Sequence, residues 1–509
     1  MPLESKTIKE RMTELADAIR GFAGSVEKFT LDGIAQYLAT RAGDVMTKSI
    51  VDTSQTDAVY ARPSGITVAA PGGTAKGIPA GVVEVAPYSY DTATDLPLGV
   101  LILRPYAFSH VNWCEPGSAN GHVTIPPGCC ISVSCFNRCD QLISIDLPRG
   151  ITAIPNRCFY GTGITEFGEL CGLISIHSEA FKDSSSLESI HIPDTLLWMD
   201  LSALQGTSVK ELQLPDSMIS LTGSLRDSAL ESLIFPNKMT HIPEYLFKDS
   251  GSLKTVVLHD HVNSIGESAF CGCTKLSNID IPESVITIGK SAFESCSSIT
   301  DLSIPYSVET IEESAFSGAG IISLVLNEGL KYIGGLAFMS CPIRGELIIP
   351  DSVSSIGNYA FKSTAVTSVV LPSKLESISE GLFSESEELS EVQIPDNVSF
   401  IGPHAFSGTA ITDLDIATRG LSIGKEAFSR TKLETVFIRT AESSFPVTIG
   451  EKAFMDCGDL AYVELSGHIL SIAPDAFEGC SNIKINCKFP EGSLPEAPWG
   501  ASNATINYA

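Results

Sequence analysis

Basic residues are scarce in this chain. Its 509 residues carry 33 Lys and Arg against 60 Asp and Glu, a formal net charge of −27. Nucleic-acid binding needs cationic side chains against the phosphates, and anionic membrane surfaces select for the same chemistry. The charge balance argues against both partners. Residues 1–41 hold six basic and six acidic side chains, so the acidic excess belongs to residues 42–509. Long apolar runs are lacking too, none approaching the ~20 residues that span a bilayer. The opening "MPLESKTIKERMTELADAIRG" has no continuous apolar core of a secretory signal. A soluble chain made in the cytoplasm without a signal peptide, and not inserted in a membrane, is expected.

Catalytic motifs are missing as well. The nine His form no spaced pair with carboxylates of the kind a metalloprotease needs, and no Gly-x-Ser-x-Gly elbow occurs. The element "GGTAKG" lacks the Gly-Lys-Ser/Thr ending of a phosphate loop. The expectation is a protein that is not an enzyme and holds no cofactor and no metal.

What the sequence has is repetition. The stretch "SIGESAFCGCTKLSNIDIPESV", Ser264 to Val285, recurs through most of the chain. Phe270 has counterparts at Phe136, Phe159, Phe181 and Phe247, and then at Phe293, Phe316, Phe338, Phe361, Phe383, Phe406, Phe428, Phe454 and Phe477. From Phe247 onward the step is 22 or 23 residues, with one step of 26 before Phe454; Leu204 and Leu225 stand for Phe in two degenerate copies. Ile lies five residues before each of the fourteen Phe, and Cys, Ser, Thr or Ala three residues after. A fixed period of this length marks a solenoid whose coils pack on their neighbours. In each copy a run such as Leu276 to Pro282 alternates like a half-buried strand. Gly266 is expected to turn the chain into a short helical "ESAF" piece. The reading is an α/β-type repeat solenoid of about 16–17 coils with a parallel sheet along one face.

Cysteine follows the repeat. Of 14 Cys, six (Cys139, Cys273, Cys296, Cys341, Cys457, Cys480) stand three residues after Phe, and Cys135 and Cys158 directly before it. They read as small buried fillers. Adjacent coils place Cys273 beside Cys296, Cys457 beside Cys480 and Cys135 beside Cys158, but parallel side chains in a ladder do not offer the dihedral a disulfide needs. Free thiols are expected at all six positions.

These columns resemble the BspA-like leucine-rich-repeat family, whose repeats read as Ile-Gly-x-x-Ala-Phe followed by Leu-x-x-Leu-x-Ile-Pro. The resemblance covers about residues 98–487 and implies a surface adhesin or recognition module. Around it, residues 1–43 read as a short helical N-terminal attachment segment, 44–97 as a Gly/Pro-rich linker or small β-module, and 488–509 as a C-terminal cap using Trp499, Ile506 and Tyr508. The block "LADAIRGFAGSVEKFTLDGIAQYL" is similar to N-terminal segments of bacteriophage and prophage tail-associated proteins, and the Pro-Trp-Gly-Ala ending resembles the closing segment of phage-encoded repeat proteins.

The informative surface is the strand face, where outward residues line up in columns. Ile234, Val257, Asp280, Asp301, Gln393, Asp415, Phe437 and Tyr462 form the candidate binding surface, with Ile234 beside Val257 and Phe437 beside Tyr462. Exposed apolar groups ringed by polar ones suggest recognition; packing between neighbouring strands is the alternative. The functional expectation is a non-enzymatic recognition or adhesion protein for a protein or glycan surface ligand. Its N-terminal segment would attach to a larger assembly, as on a virion tail. A cell-surface adhesin and a structural spacer are the other readings.

Overall fold

The computed structural model describes residues 59–61, 67–69, 82–87, 96, 100–110 and 121–509, the last without 168–171, 419, 441–445 and 496. The chain separates into Met1–Gln55 and Thr56–Ala509. The helical attachment segment expected over 1–43 lies outside the described residues. Among them the one helical element is a 3-10 turn at Leu201–Leu204, capped by the Asp200 carboxylate, which accepts from Ser202 N at 3.0 Å. It occurs in a coil where Leu204 stands for Phe.

The second unit opens with one antiparallel pair, Val59–Ala61 with Thr67–Ala69, and is a parallel β-solenoid from there on. Each coil contributes two strands where a single sheet was expected, because the Ile column is itself a strand. Ile242, Ile265, Ile288 and Ile311 pair in register across successive coils, and all four are buried. The second sheet carries the Leu-x-Ile pattern, as in Asp301–Ser303 paired with Ser323–Val325. In the coil around Asn278 this strand shrinks to one bridge, Thr255 to Asn278. A buried Ile or Leu on either strand contributes roughly 1.5–3 kcal/mol once neighbouring coils cover it.

The "ESAF" segment is a ladder of turns and not a helix. Ala269, Cys271 and Cys273 donate their N–H groups to carbonyls three residues back in their own coil, at 3.0–3.2 Å. Between them, Ser268, Phe270 and Gly272 donate to Lys290, Ala292 and Glu294 of the next coil, each at 2.8 Å. A helix directs every N–H along its own axis. Here alternate groups turn outward because Ser268 (φ 52°) and Gly272 (φ 75°) are left-handed. The backbone of each coil is thereby bonded to the next on the turn side as well as on the strand sides. Gly266 serves close approach rather than a turn: a Cβ there would lie 2.7 Å from the carbonyl oxygen of Ile242 in the preceding coil.

Phe fills the centre. From Phe108 to Phe181, and again from Phe247 to Phe477, successive rings stack with centroids 5.0–6.0 Å apart and planes within 4–15°. Leu204 and Leu225, both buried, interrupt the series, and Phe167 meets Phe159 and Phe181 edge-on. At the C-terminal end Trp499 is buried; its carbonyl accepts from Phe477 N and its indole N–H donates to Pro495 O, both at 2.9 Å. Thr505–Tyr508 then adds a last parallel strand to Lys484–Cys487.

Candidate functional site

The residue three places after Phe does more than fill space. Cys273, Cys296, Cys341 and Cys480 donate their thiols to the carbonyl of the Phe one coil earlier at 3.0–3.1 Å. Ser184 and Ser386 use their hydroxyls in the same way. Thr162, Thr364, Thr409 and Thr431 donate to the Phe of their own coil. The column therefore favours small donors; Ala319 has no side-chain donor, and the buried Ser250 hydroxyl finds no partner among the described residues. All six ladder cysteines singled out as pairs are buried free thiols. Burial pushes Cys273 and Cys341 up to about 12, and Cys296 well above its ordinary value. In the tightly linked pair, the hydrogen bond to Cys457 and burial both push Cys480 up. Such thiols are poor nucleophiles. Among the described residues no group of three or more His, Cys, Asp or Glu is placed to hold a metal ion.

Outward residues of the second sheet form two columns. One runs Gln213, Ile234, Val257 in direct register and, further along, Asp415, Phe437, Glu464. Ile234 (44% exposed) and Val257 (50%) make an apolar pair. Asp280, Asp301, Gln393 and Asp415 are exposed but fall on separate coils, so no compact site joins them. Phe437 and Tyr462 do meet, with ring centroids 5.6 Å apart. Both are only half-exposed and already engaged. The Arg439 guanidinium lies 5.4 Å over the Phe437 ring and pairs with Asp415. Tyr462 Oη donates to Glu464 at 3.0 Å and accepts from Asn486 Nδ2 at 2.7 Å.

One residue of the column escapes the sequence reading. Ile348 stands between Val325 and Val370, within the run Leu347-Ile348-Ile349-Pro350 that fits the repeat pattern. At 57% exposed, with Val325 at 49% and Val370 at 46%, it completes an apolar ridge over three successive coils. Val370 pairs directly with Ile348 on one side and Gln393 on the other. The spacing carries the signal, but this coil is less regular than its neighbours: its strand, Arg344–Ile348, has a register shift between Gly345 and Glu346. Away from this face, a shallow cleft of about 430 Å³ opens beside Ser399, Leu421, Ser422 and Thr448.

Stacked coils of one parallel strand per side, a turn ladder and a single ring column define a leucine-rich-repeat solenoid. The pattern of the BspA type leucine rich repeat region (6 copies) matches residues 118–225, 222–344, 337–447 and 447–496. The chain belongs to the BspA-type leucine-rich-repeat family. Among solved structures it is similar to a leucine-rich repeat protein from Bacteroides ovatus, at 20% identity over 76% of this chain and 92% of the other, with a TM-score of 0.57. This likeness shows the same fold. A leucine-rich cell surface protein from Faecalibacterium prausnitzii aligns at 21% identity over 66% of this chain and 83% of the other, with a TM-score of 0.31. A leucine-rich repeat protein from T. pallidum aligns at 28% identity over 36% and 79%, with a TM-score of 0.28. No curated protein matches the chain. Among the described residues no helix is long and apolar enough to cross a membrane.

Proposed function

We propose that this chain is a non-enzymatic recognition protein that adheres to a biological surface through the strand face of its solenoid. The supporting observation is the set of exposed apolar residues, Ile234 with Val257, Val325, and Ile348 with Val370, held on three short hydrogen-bonded sheets along the strand side of the stack. A rigid platform loses little conformational freedom on binding, so its exposed apolar groups convert efficiently into affinity. The BspA-type repeat favours a surface recognition role. The narrower tail-associated form rests on two short terminal stretches, the longer of which lies outside the described residues, and is the lesser reading. The ligand is a protein or glycan on that surface, and no cofactor takes part.

The test is binding of the labelled full chain to intact cells. Replacing Ile348 and Val370 together by Ser should cost about 2 kcal/mol or more, while Lys290→Ala on the turn side should leave binding unchanged. Equal binding by all three proteins, with unaltered circular dichroism, would remove the strand face from the function.

A further inference from the structure

Between Glu211 and Glu464 the two outward columns of the strand face contain no Lys, Arg or His. They contain carboxylates instead, and three of these, Asp301, Glu346 and Glu391, lie beside or one coil beyond the ridge of Val325, Ile348 and Val370. In the column beside it the three coils carry Ser323, Glu346 and Ser368, and Glu391 follows on the next coil, in register with Ser368; both Glu are exposed, and neither forms an ion pair among the described residues. On the opposite flank, where each strand enters its turn, the Glu328 carboxylate accepts from Asp351 N and Ser352 N at 3.2–3.3 Å. Arg344, on the strand of Ile348, stands at its start, beyond the two columns. By contrast Asp415 already has Arg439. The middle of the face thus offers an apolar line with exposed carboxylates beside it that form no ion pair among the described residues, while the exposed cations Arg344 and Lys374 stand at its two margins.

Spacing narrows the occupant. The ridge residues repeat once per coil: Ile348 and Val370 are ladder partners about 4.8 Å apart, and Val325 ends the strand of the preceding coil in a neighbouring sheet, so the line is about 10 Å long. Alternate residues of an extended peptide lying along the solenoid repeat every ~6.6–6.8 Å and drift out of step within two coils. The apolar stripe of a helix repeats once per turn, about 5.4 Å, and keeps step over three coils. We propose that the ridge at Val325, Ile348 and Val370 docks a cationic amphipathic helix of a partner protein, lying along the stacking direction with its Lys or Arg flanks against Glu346, Glu391 and Glu328. This rests on the recognition reading and names its partner class.

The full chain can be titrated, with anisotropy as the readout, against three labelled model peptides of equal length. One is a Leu/Lys peptide with Leu at i, i+3, i+4 and i+7; one has the same composition with Leu and Lys alternating; one is the first with Glu for Lys. The first should bind at least tenfold more tightly than the others. Ile348→Ser with Val370→Ser, and separately Glu346→Gln with Glu391→Gln, should each weaken it at least fivefold, with circular dichroism unchanged. Equal binding of both Leu/Lys peptides, or binding that falls with salt yet ignores all four substitutions, would overturn the proposal as diffuse attraction to an acidic protein. If the ridge substitutions abolish cell binding while no peptide binds, the partner class fails and the recognition reading stands. If they affect neither, both fail.

Discussion

Two columns of single residues carry consequences that can be measured one at a time. Ser295 is exposed and left-handed at φ 61°, in the place that Gly272, Gly318, Gly408 and Gly479 fill in other coils. A side chain there costs energy that Gly avoids. Ser295→Gly should raise stability by about 0.5–1 kcal/mol in urea unfolding, whereas Ser295→Val should lower it; the reverse order would refute the backbone argument. Cys341 poses the companion case. Cys341→Ala leaves the Phe316 carbonyl without its 3.0 Å side-chain donor and should cost about 1 kcal/mol; Cys341→Ser should cost less. The thiol is pushed by burial from 9.0 up to about 12, so the folded state keeps its proton where the unfolded state loses it. Its contribution is complete below about pH 9 and drains away as pH rises toward 12. Alkaline unfolding should therefore begin later in Cys341→Ser, and coincident curves would remove the thiol from that transition. The identity of these columns was legible in the sequence, but their reasons were not. Small residues after Phe look like fillers until a carbonyl is seen within reach, and a left-handed site filled by Ser, Asp, Arg and Gly alike has no signature in residue type.

At the scale of the element, the Phe stack was the most legible part of the fold. A strict spacing of buried aromatics on repeating coils leaves little choice but a central column. The turn ladder and the second sheet were less so. "ESAF" has good helix formers, and a two-residue strand such as Ser264–Ile265 is too short to show alternation. Only the bonds between coils decide both, and those depend on neighbours about 23 residues away. The stack itself can be tested at Phe316, whose ring lies 5.1 Å from Phe293 and 5.3 Å from Phe338. Phe316→Ala should cost about 3–5 kcal/mol. Phe316→Leu should cost less than half as much, because Leu204 and Leu225 already fill this column while buried. Denaturant titration of both variants decides it, and equal losses would mean that ring stacking, not filled volume, sets the stability of a coil.

For the molecule as a whole, stability is one-dimensional: each coil is covered by the coil before and the coil after, so the last must be covered by something else. Trp499 and the strand Thr505–Tyr508 provide that cover, and they use the same two devices as an internal coil. The Trp499 carbonyl takes the N–H of Phe477, as Ala476 takes that of Phe454, and the strand continues the register of Lys484–Cys487. Ile506 and Tyr508 pack on the core beneath. Removing residues 488–509 would expose Phe477 and leave Lys484–Cys487 with an open edge. Because coupling passes only between neighbours, the damage should fade with distance. Amide hydrogen exchange in the truncated chain should accelerate most in Lys484–Cys487 and Tyr462–Ser466, less in Thr435–Thr440, and not at all in Ser264–Ile265 or Thr287–Ile288. A uniform rise in exchange across all these strands would instead mean that the solenoid unfolds as one cooperative body, and that the terminal strand holds the whole stack rather than its end.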